Sequence, residues 1–144
     1  MRSLFRDSRD EMRSHLLELI QKLNEEAASG AVVLVEGRRD EVALRAAGYS
    51  GPLVKVKVLG RRARALGEII STAAYRKAIL LVDFDREGSK LARTIGRDLS
   101  FCGVEVDSKF RESFFETFYG EVREVEALRR LTEEGFEGAG LKWI

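Results

Sequence analysis

The chain has 144 residues, of which 34% are charged, and a formal net charge of +1. This length suits a single domain with a substantial core, and the small net charge excludes a polycation that binds nucleic acid over its whole surface. The single cysteine excludes an internal disulfide and a cysteine-based zinc site. The apolar runs are too short to span a bilayer, so we expect a cytoplasmic protein with no membrane partner. Side-chain amides are scarce, which favours a thermophilic source.

The N-terminal part of the chain predicts a helix, a buried strand and a second helix. Apolar residues at helical spacing indicate an amphipathic helix over about residues 8–28. The apolar run Ala31–Val35 is typical of a strand buried on both faces. Glu36 and Gly37 follow this strand directly, and the glycine permits a tight structural turn. We expect Asp40 to cap the helix that comes next.

The segment from Leu53 to Leu59 alternates valine with lysine, which predicts a strand with one wet face near the edge of the sheet. A helix is then expected over about residues 63–75. The most basic part of the chain includes the end of this strand and the start of this helix, and its members are Lys55, Lys57, Arg61, Arg62 and Arg64. Such a segment is either an ordinary solvated edge or a phosphate-binding patch.

A second buried strand is predicted where five apolar residues begin at Ala78. Charged residues follow this strand and end in Gly88, which we expect to form a turn. Side chains alternate along an extended chain, so Asp83 and Asp85 would point the same way. Together with Glu87 they put three carboxylates within five residues, and these repel one another. The segment is therefore either a solvated loop or a site for a hard cation such as Mg²⁺, which prefers oxygen ligands.

The remaining pattern predicts a helix over about residues 89–99, a short strand at Val104–Val106 and a helical C-terminal extension over about residues 110–134. Alternation of strands and helices indicates one α/β domain of Rossmann-like type, with a mostly parallel four-stranded sheet flanked by helices. Parallel strands end at the same edge of a sheet, so Glu36 is expected to meet the two aspartates there.

Together, these two strand ends resemble the Toprim domain shared by topoisomerases, bacterial primases and certain small nucleases, including those of ribosomal-RNA maturation. One strand of that family ends in Glu-Gly, matched here by Glu36 and Gly37, and a second ends in Asp-x-Asp-x-x-Gly, matched by residues 83–88. The resemblance covers about residues 31–107 and implies the Toprim fold for this core.

The resemblance also implies a role for each matched carboxylate. Glu36 would be the general acid or base and part of the metal centre, while Asp83 and Asp85 would hold Mg²⁺, with Mn²⁺ as a substitute. Glu87 matches an additional acidic position of topoisomerases. Asp107 follows the fourth strand, where some members of the family carry a further metal carboxylate.

The implied function is Mg²⁺-dependent phosphodiester chemistry on RNA or DNA, most simply that of a small nuclease. A non-catalytic nucleic-acid-binding or adaptor module is the first alternative. A haloacid-dehalogenase-type phosphatase is the second, although its Asp-x-Asp motif normally continues with Gly-Thr. The protein could act as a homo-oligomer or within a larger nucleic-acid-processing complex. The residues expected to contact nucleic acid are Arg38, Lys55, Lys57, Arg61, Arg62, Arg64 and Arg86.

Overall fold

A computed structural model of the chain describes residues 4–59, 65–82 and 86–117. Within these ranges the protein is an α/β structure with a four-stranded, all-parallel sheet flanked by helices, which confirms the predicted fold class. In chain order, the elements are α1 (Leu4–Ala28), β1 (Ala31–Val35), α2 (Arg38–Ala47), β2 (Leu53–Lys55), α3 (Val56–Leu59), α4 (Leu66–Thr72), β3 (Lys77–Leu80), α5 (Arg86–Phe101), β4 (Glu105–Asp107) and α6 (Lys109–Thr117).

The strands are arranged in the order β2-β1-β3-β4. The uninterrupted apolar sequence of β1 therefore lies at the centre, where all five of its residues are buried. Leu34 of β1 is opposite Val54 on one side and Leu80 on the other. The mixed sequence of β2 lies at an edge, as predicted. After β1 the chain moves to one side to form β2, and then crosses to the other side to form β3.

The two faces of the sheet have separate cores because successive residues of a strand point to opposite faces. Val33 and Val35 pack in a cluster with leucines of α1 and α2. Val32 and Leu34 belong to a second cluster, formed with α4 and α5. Leu99 of α5 is fully buried in that cluster, and burial of a leucine side chain contributes about 1.5–3 kcal/mol. Helices thus cover both faces and leave the strand ends available for a site.

Helices α4 and α5 pack closely because Gly67 has no side chain. A Cβ atom at this position would lie 2.6 Å from Cys102 Sγ and 2.9 Å from the carbonyl oxygen of Asp98. Helix α4 ends at Thr72, three residues before the end that the sequence predicts. Gly67 is thus compatible with the helix and allows the close approach of α5.

Strand β2 is shorter than the strand predicted over Leu53–Leu59. It ends at Lys55, and Val56–Leu59 form a helical turn instead of continuing the strand. The backbone N–H of Lys57 donates to the carbonyl oxygen of Glu36 at 2.9 Å. Alternation would bury Val58 with Val56, yet 68% of Val58 is exposed. The valine–lysine alternation therefore does not distinguish a long edge strand from a short strand followed by a turn.

Other boundaries also differ from the predicted ones, including those of β3, which spans Lys77–Leu80 and not residues 78–82. Helix α1 begins at Leu4, and β4 lies one residue later than expected, at Glu105–Asp107. Helix α5 begins at Arg86, so Gly88 lies buried in its first turn instead of in a turn before the helix. The predicted C-terminal helix is described to Thr117 as α6, and its remainder lies outside the described residues.

None of the helices in the described ranges combines the length and the apolar character needed to cross a membrane.

Candidate active site

The candidate site lies at the carboxyl ends of β1 and β3, the two central strands. The N–H of Leu81 donates to the carbonyl oxygen of Leu34 at 2.9 Å, which completes the last pair of these two strands, Leu34 with Leu80. Glu36 comes two residues after Leu34, and Val82, the residue directly before Asp83, comes two residues after Leu80, so both follow this last pair at the same edge of the sheet. The strand order reverses between β1 and β3, and open α/β sheets bind ligands at such a reversal, outside the carboxyl ends of the strands.

Glu36 is a nearly buried carboxylate at this edge, with only 9% of the residue exposed. Its Oε2 atom lies 3.3 Å from Nζ of Lys57, whose side chain is 70% exposed. A buried carboxylate requires partners, because removing its charge from water is costly. The turn of α3 supplies one of these partners by bringing the lysine back over the end of β1.

Gly37 and Asp40 form the beginning of α2. The N–H of Gly37 donates to Oδ2 of Asp40 at 2.9 Å, so the aspartate caps the helix from its third residue and not from the position before it. Gly37 has an extended backbone with φ of −151°, and among the described residues nothing lies within 4 Å of the place where a Cβ would be. The chain bends at Glu36 and Gly37 between β1 and α2, and the glycine leaves open space directly after Glu36.

The predicted basic residues are in different environments. Lys55 is bound to α2, with its Nζ atom 2.9 Å from Oε1 of Glu41. Arg38 and Arg86 are exposed at the first positions of α2 and α5, and Glu87 is exposed next to Arg86. The arginines expected in the basic segment, Arg61, Arg62 and Arg64, lie outside the described residues.

Asp107 is engaged in a separate set of ion pairs. Its Oδ2 atom lies 3.3 Å from Nζ of Lys77, which is 3.1 Å from a carboxylate oxygen of Glu26 in α1. Burial lowers the pKa of Lys77, but the hydrogen bonds to these two carboxylates outweigh it and raise the pKa overall. Asp107 is paired with Ile79 in the sheet, not with Val82. The structure therefore connects it to α1 and does not bring it level with Glu36.

Asp83 and Asp85, the predicted metal ligands, lie outside the described residues. Within the described ranges, no three or more His, Cys, Asp or Glu side chains are grouped so that they could hold a metal ion. That finding does not include the two aspartates, so their role stays a prediction.

Arg111 is a residue of this region that the sequence analysis did not identify. Its Nε atom donates to the carbonyl oxygen of Val82 at 3.1 Å, and its Nη2 atom donates to Oγ of Ser89 at 2.9 Å. These two partners lie on either side of segment 83–85. One arginine of α6 therefore connects both flanks of the segment that carries the predicted metal ligands. No motif or spacing marks it, because its partners are more than 20 positions away in the chain.

No family model matches the chain. A UPF0292 protein of Methanocaldococcus jannaschii is 33% identical over 124 residues, which cover 83% of this chain and 91% of that protein. A UPF0292 protein of Thermococcus onnurineus is 37% identical over 112 residues, or 77% of this chain and 78% of that protein. A solved structure of a protein from Aquifex aeolicus has a TM-score of 0.63 and 28% identity, and the match covers 76% of this chain and 94% of that one. These names state no activity. The extent of the sequence similarity shows that the chain belongs to the UPF0292 family.

Proposed function

We propose that this protein carries out Mg²⁺-dependent phosphodiester chemistry on nucleic acid, most simply as a small nuclease. The observation that carries the proposal is the position of Glu36, a nearly buried carboxylate directly after β1, at the edge where the strand order reverses between β1 and β3. Val82, the residue before the Asp-x-Asp motif in the chain, follows β3 at the same edge. This shared edge supports the Toprim resemblance, because either motif alone is weak whereas that family uses the two together.

Glu36 acts as the general acid or base in this proposal. Burial restricts its movement, and the neighbouring Lys57 lies on its outer side, where 70% of the lysine side chain is exposed. The lysine ammonium can therefore contact a phosphate oxygen while Glu36 transfers a proton. Proton transfer by a positioned carboxyl group contributes about 10²–10⁴ in rate.

The proposed metal ligands are carboxylates, which are the oxygen donors that Mg²⁺ prefers. Asp83 and Asp85 would hold the ion, and Glu36 would face it from β1. When bound, Mg²⁺ would neutralise negative charge on the phosphate. We leave Asp107 out of this group because its carboxylate is engaged with Lys77.

The nucleic acid needs positive neighbours, because carboxylates alone would repel it. Exposed Arg38 and Arg86 at the first positions of α2 and α5 are suited to this role. Arg61 and Arg62 follow α3 in the chain and remain part of the proposal. Replacing both by glutamine should weaken binding and reduce the slope of log K against log salt by about 0.7–0.9 per lost phosphate contact. An unchanged slope would mean that they are ordinary surface residues.

The test is a screen of labelled RNA and DNA for cleavage with Mg²⁺ or Mn²⁺, with EDTA as the metal-free condition. We expect Glu36→Gln to bind nucleic acid but to react about 10²–10⁴ times more slowly. Glu25→Gln is the matched control, since Glu25 is exposed on α1 and is not part of the proposed site. Cleavage by Glu36→Gln at the wild-type rate would refute the proton-transfer role.

A non-catalytic binding or adaptor module is the second candidate. The ion pair between Glu36 and Lys57 favours it, because a carboxylate held by a lysine also has a purely structural explanation. Tight binding of nucleic acid without turnover in either metal would support this candidate over the nuclease.

A further inference from the structure

A cavity of about 560 Å³ lies between α5, β4 and α6. Its size falls within the range of about 300–1,000 Å³ typical of small-ligand sites. Part of its lining is apolar and comes from Leu80, Ala92 and Val106, whereas Arg93 and Arg97 of α5 and Arg111 of α6 supply positive charge. Glu112 is the single acidic residue among the described lining residues. The cavity thus combines an apolar surface with an excess of positive charge.

Arg93 and Arg97 lie one helical turn apart on α5, and both are exposed. Within the described ranges, neither side chain has a hydrogen bond or an ion pair. Like charges at this spacing repel each other and destabilise a helix. An anion bound between them would attract both side chains and offset this repulsion, and arginine side chains match phosphate oxygens in geometry.

Gly96 lies between these arginines and also lines the cavity. A glycine inside a helix is less favourable than an alanine. A Cβ atom here would lie 3.8 Å from Leu80 Cδ1 and 3.9 Å from Val106 Cγ1, which are ordinary contacts. Packing therefore does not require this glycine, in contrast to Gly67. Its effect is to keep the cavity open between two arginines that repel each other.

The cavity is also adjacent to the candidate active site. Ser89 and Arg111 line it, and the same two residues are hydrogen-bonded at the flank of segment 83–85. A strand whose phosphodiester reacts at the carboxyl ends of β1 and β3 could therefore place a neighbouring nucleotide in this cavity.

We propose that the cavity binds one nucleotide of a single-stranded nucleic acid, next to the phosphodiester that reacts. The apolar surface takes the base or sugar, and Arg93 and Arg97 take the phosphate. This inference rests on the proposed function, because it names the strand as the substrate of the same site.

The experiment measures binding of short labelled single strands of RNA and of DNA by fluorescence anisotropy in EDTA, where no metal-dependent turnover occurs. We expect Arg93→Gln/Arg97→Gln to bind more weakly, with the salt slope reduced by about 0.7 for each lost contact with a single strand. Lys22→Gln is the control, since Lys22 is exposed on α1, which packs on the other face of the sheet. Equal affinity and equal slope for the double variant and the wild type would overturn the proposal.

Gly96→Leu separates ligand binding from folding. Leucine favours the helix over glycine, so we expect an unfolding temperature at or above that of the wild type, together with weaker binding of the strand. A lower unfolding temperature with unchanged affinity would overturn the proposal, because the cavity would then be needed by the chain itself. A nucleoside monophosphate that binds as tightly as the strand would overturn it in favour of a free-nucleotide site.

The outcome distinguishes this inference from the proposed function. If the wild type never cleaves but the cavity variants bind the strand more weakly, the nucleotide site in the cavity is supported and the proposed nuclease activity is refuted. If the wild type cleaves and the cavity variants bind and cleave as well as the wild type does, the proposed nuclease activity is supported and the nucleotide site in the cavity is refuted. Failure of the wild type to bind either RNA or DNA would overturn both.

Discussion

Replacing Lys57 by methionine removes a positive charge 3.3 Å from Oε2 of Glu36. The Glu36 side chain is 11% exposed, whereas that of Lys57 is 70% exposed, so water screens the pair from one side only. We therefore expect a loss near the upper end of the range for exposed ion pairs, about 1 kcal/mol in the free energy of unfolding. For a chain of this size, such a loss lowers the unfolding temperature by about 4 °C.

The assay is urea unfolding in EDTA of four proteins: the wild type, Lys57→Met, Glu36→Gln and the double variant. Lys57→Met should cost about 1 kcal/mol in the wild type and much less when Glu36 is already glutamine, since the cycle isolates the interaction of the pair. Raising the salt concentration should reduce this difference. Lys22→Met, at an exposed lysine of α1, should have little effect. An equal cost of Lys57→Met in both backgrounds would refute the interaction.

The same four proteins test whether Glu36 faces a metal. Mg²⁺ at 100 times its dissociation constant should stabilise the wild type by about 2.7 kcal/mol. The gain at a fixed Mg²⁺ concentration should be larger for Lys57→Met, because the ammonium no longer competes with the ion for Glu36. If Mg²⁺ leaves the stability of all four proteins unchanged, the metal assignment is wrong.

Three further predictions concern the metal ligands, the packing of α4 on α5 and a buried tyrosine. Asp83→Asn/Asp85→Asn should abolish the Mg²⁺ binding seen by calorimetry. Undiminished binding would mean that the metal binds elsewhere in the protein. Gly67→Ala should lower the free energy of unfolding in urea by about 1–3 kcal/mol, since the Cβ of the alanine would lie 2.6 Å from Cys102 Sγ. An unchanged stability would mean that α5 can move away from α4 without cost. Burial raises the pKa of Tyr49 from 10.0 to about 12. The buried, neutral side chain of Tyr49 should therefore stabilise the fold fully below about pH 10, and this stabilisation should be lost as the pH rises towards 12. If burial is the cause, the stability of Tyr49→Phe should not change with pH in this range.

The central strands could be predicted because their composition has one consistent interpretation. Ala31–Val35 is an uninterrupted apolar run between Gly30 and Glu36, and the strand has these same bounds. The alternating segment after Leu53 is different, because lysine and valine at an edge fit both a strand and a short helical turn. In the structure the strand ends at Lys55 and the turn begins at Val56, and the spacing of the residues does not reveal this boundary.

The candidate site could be predicted only to the extent that it depends on strand ends. Glu36 and the residue before Asp83 meet because parallel strands present their carboxyl ends at one edge. The ion pairs of Asp107 with Lys77 depend on how α1 covers the sheet. The cavity depends on α6 packing beside α5. These tertiary contacts join distant parts of the chain, so local patterns do not show them.

The hydrogen bonds of Arg111 indicate which part of the chain has to be kept together in a fragment of this protein. The segment that resembles the Toprim domain ends at about residue 107, four positions before this arginine. A fragment cut there would retain every matched motif residue but would lose the side chain that links Val82 to Ser89. The smallest piece that could be excised, fused to another protein or exchanged between relatives therefore extends through α6. Motif boundaries alone would place the cut too early.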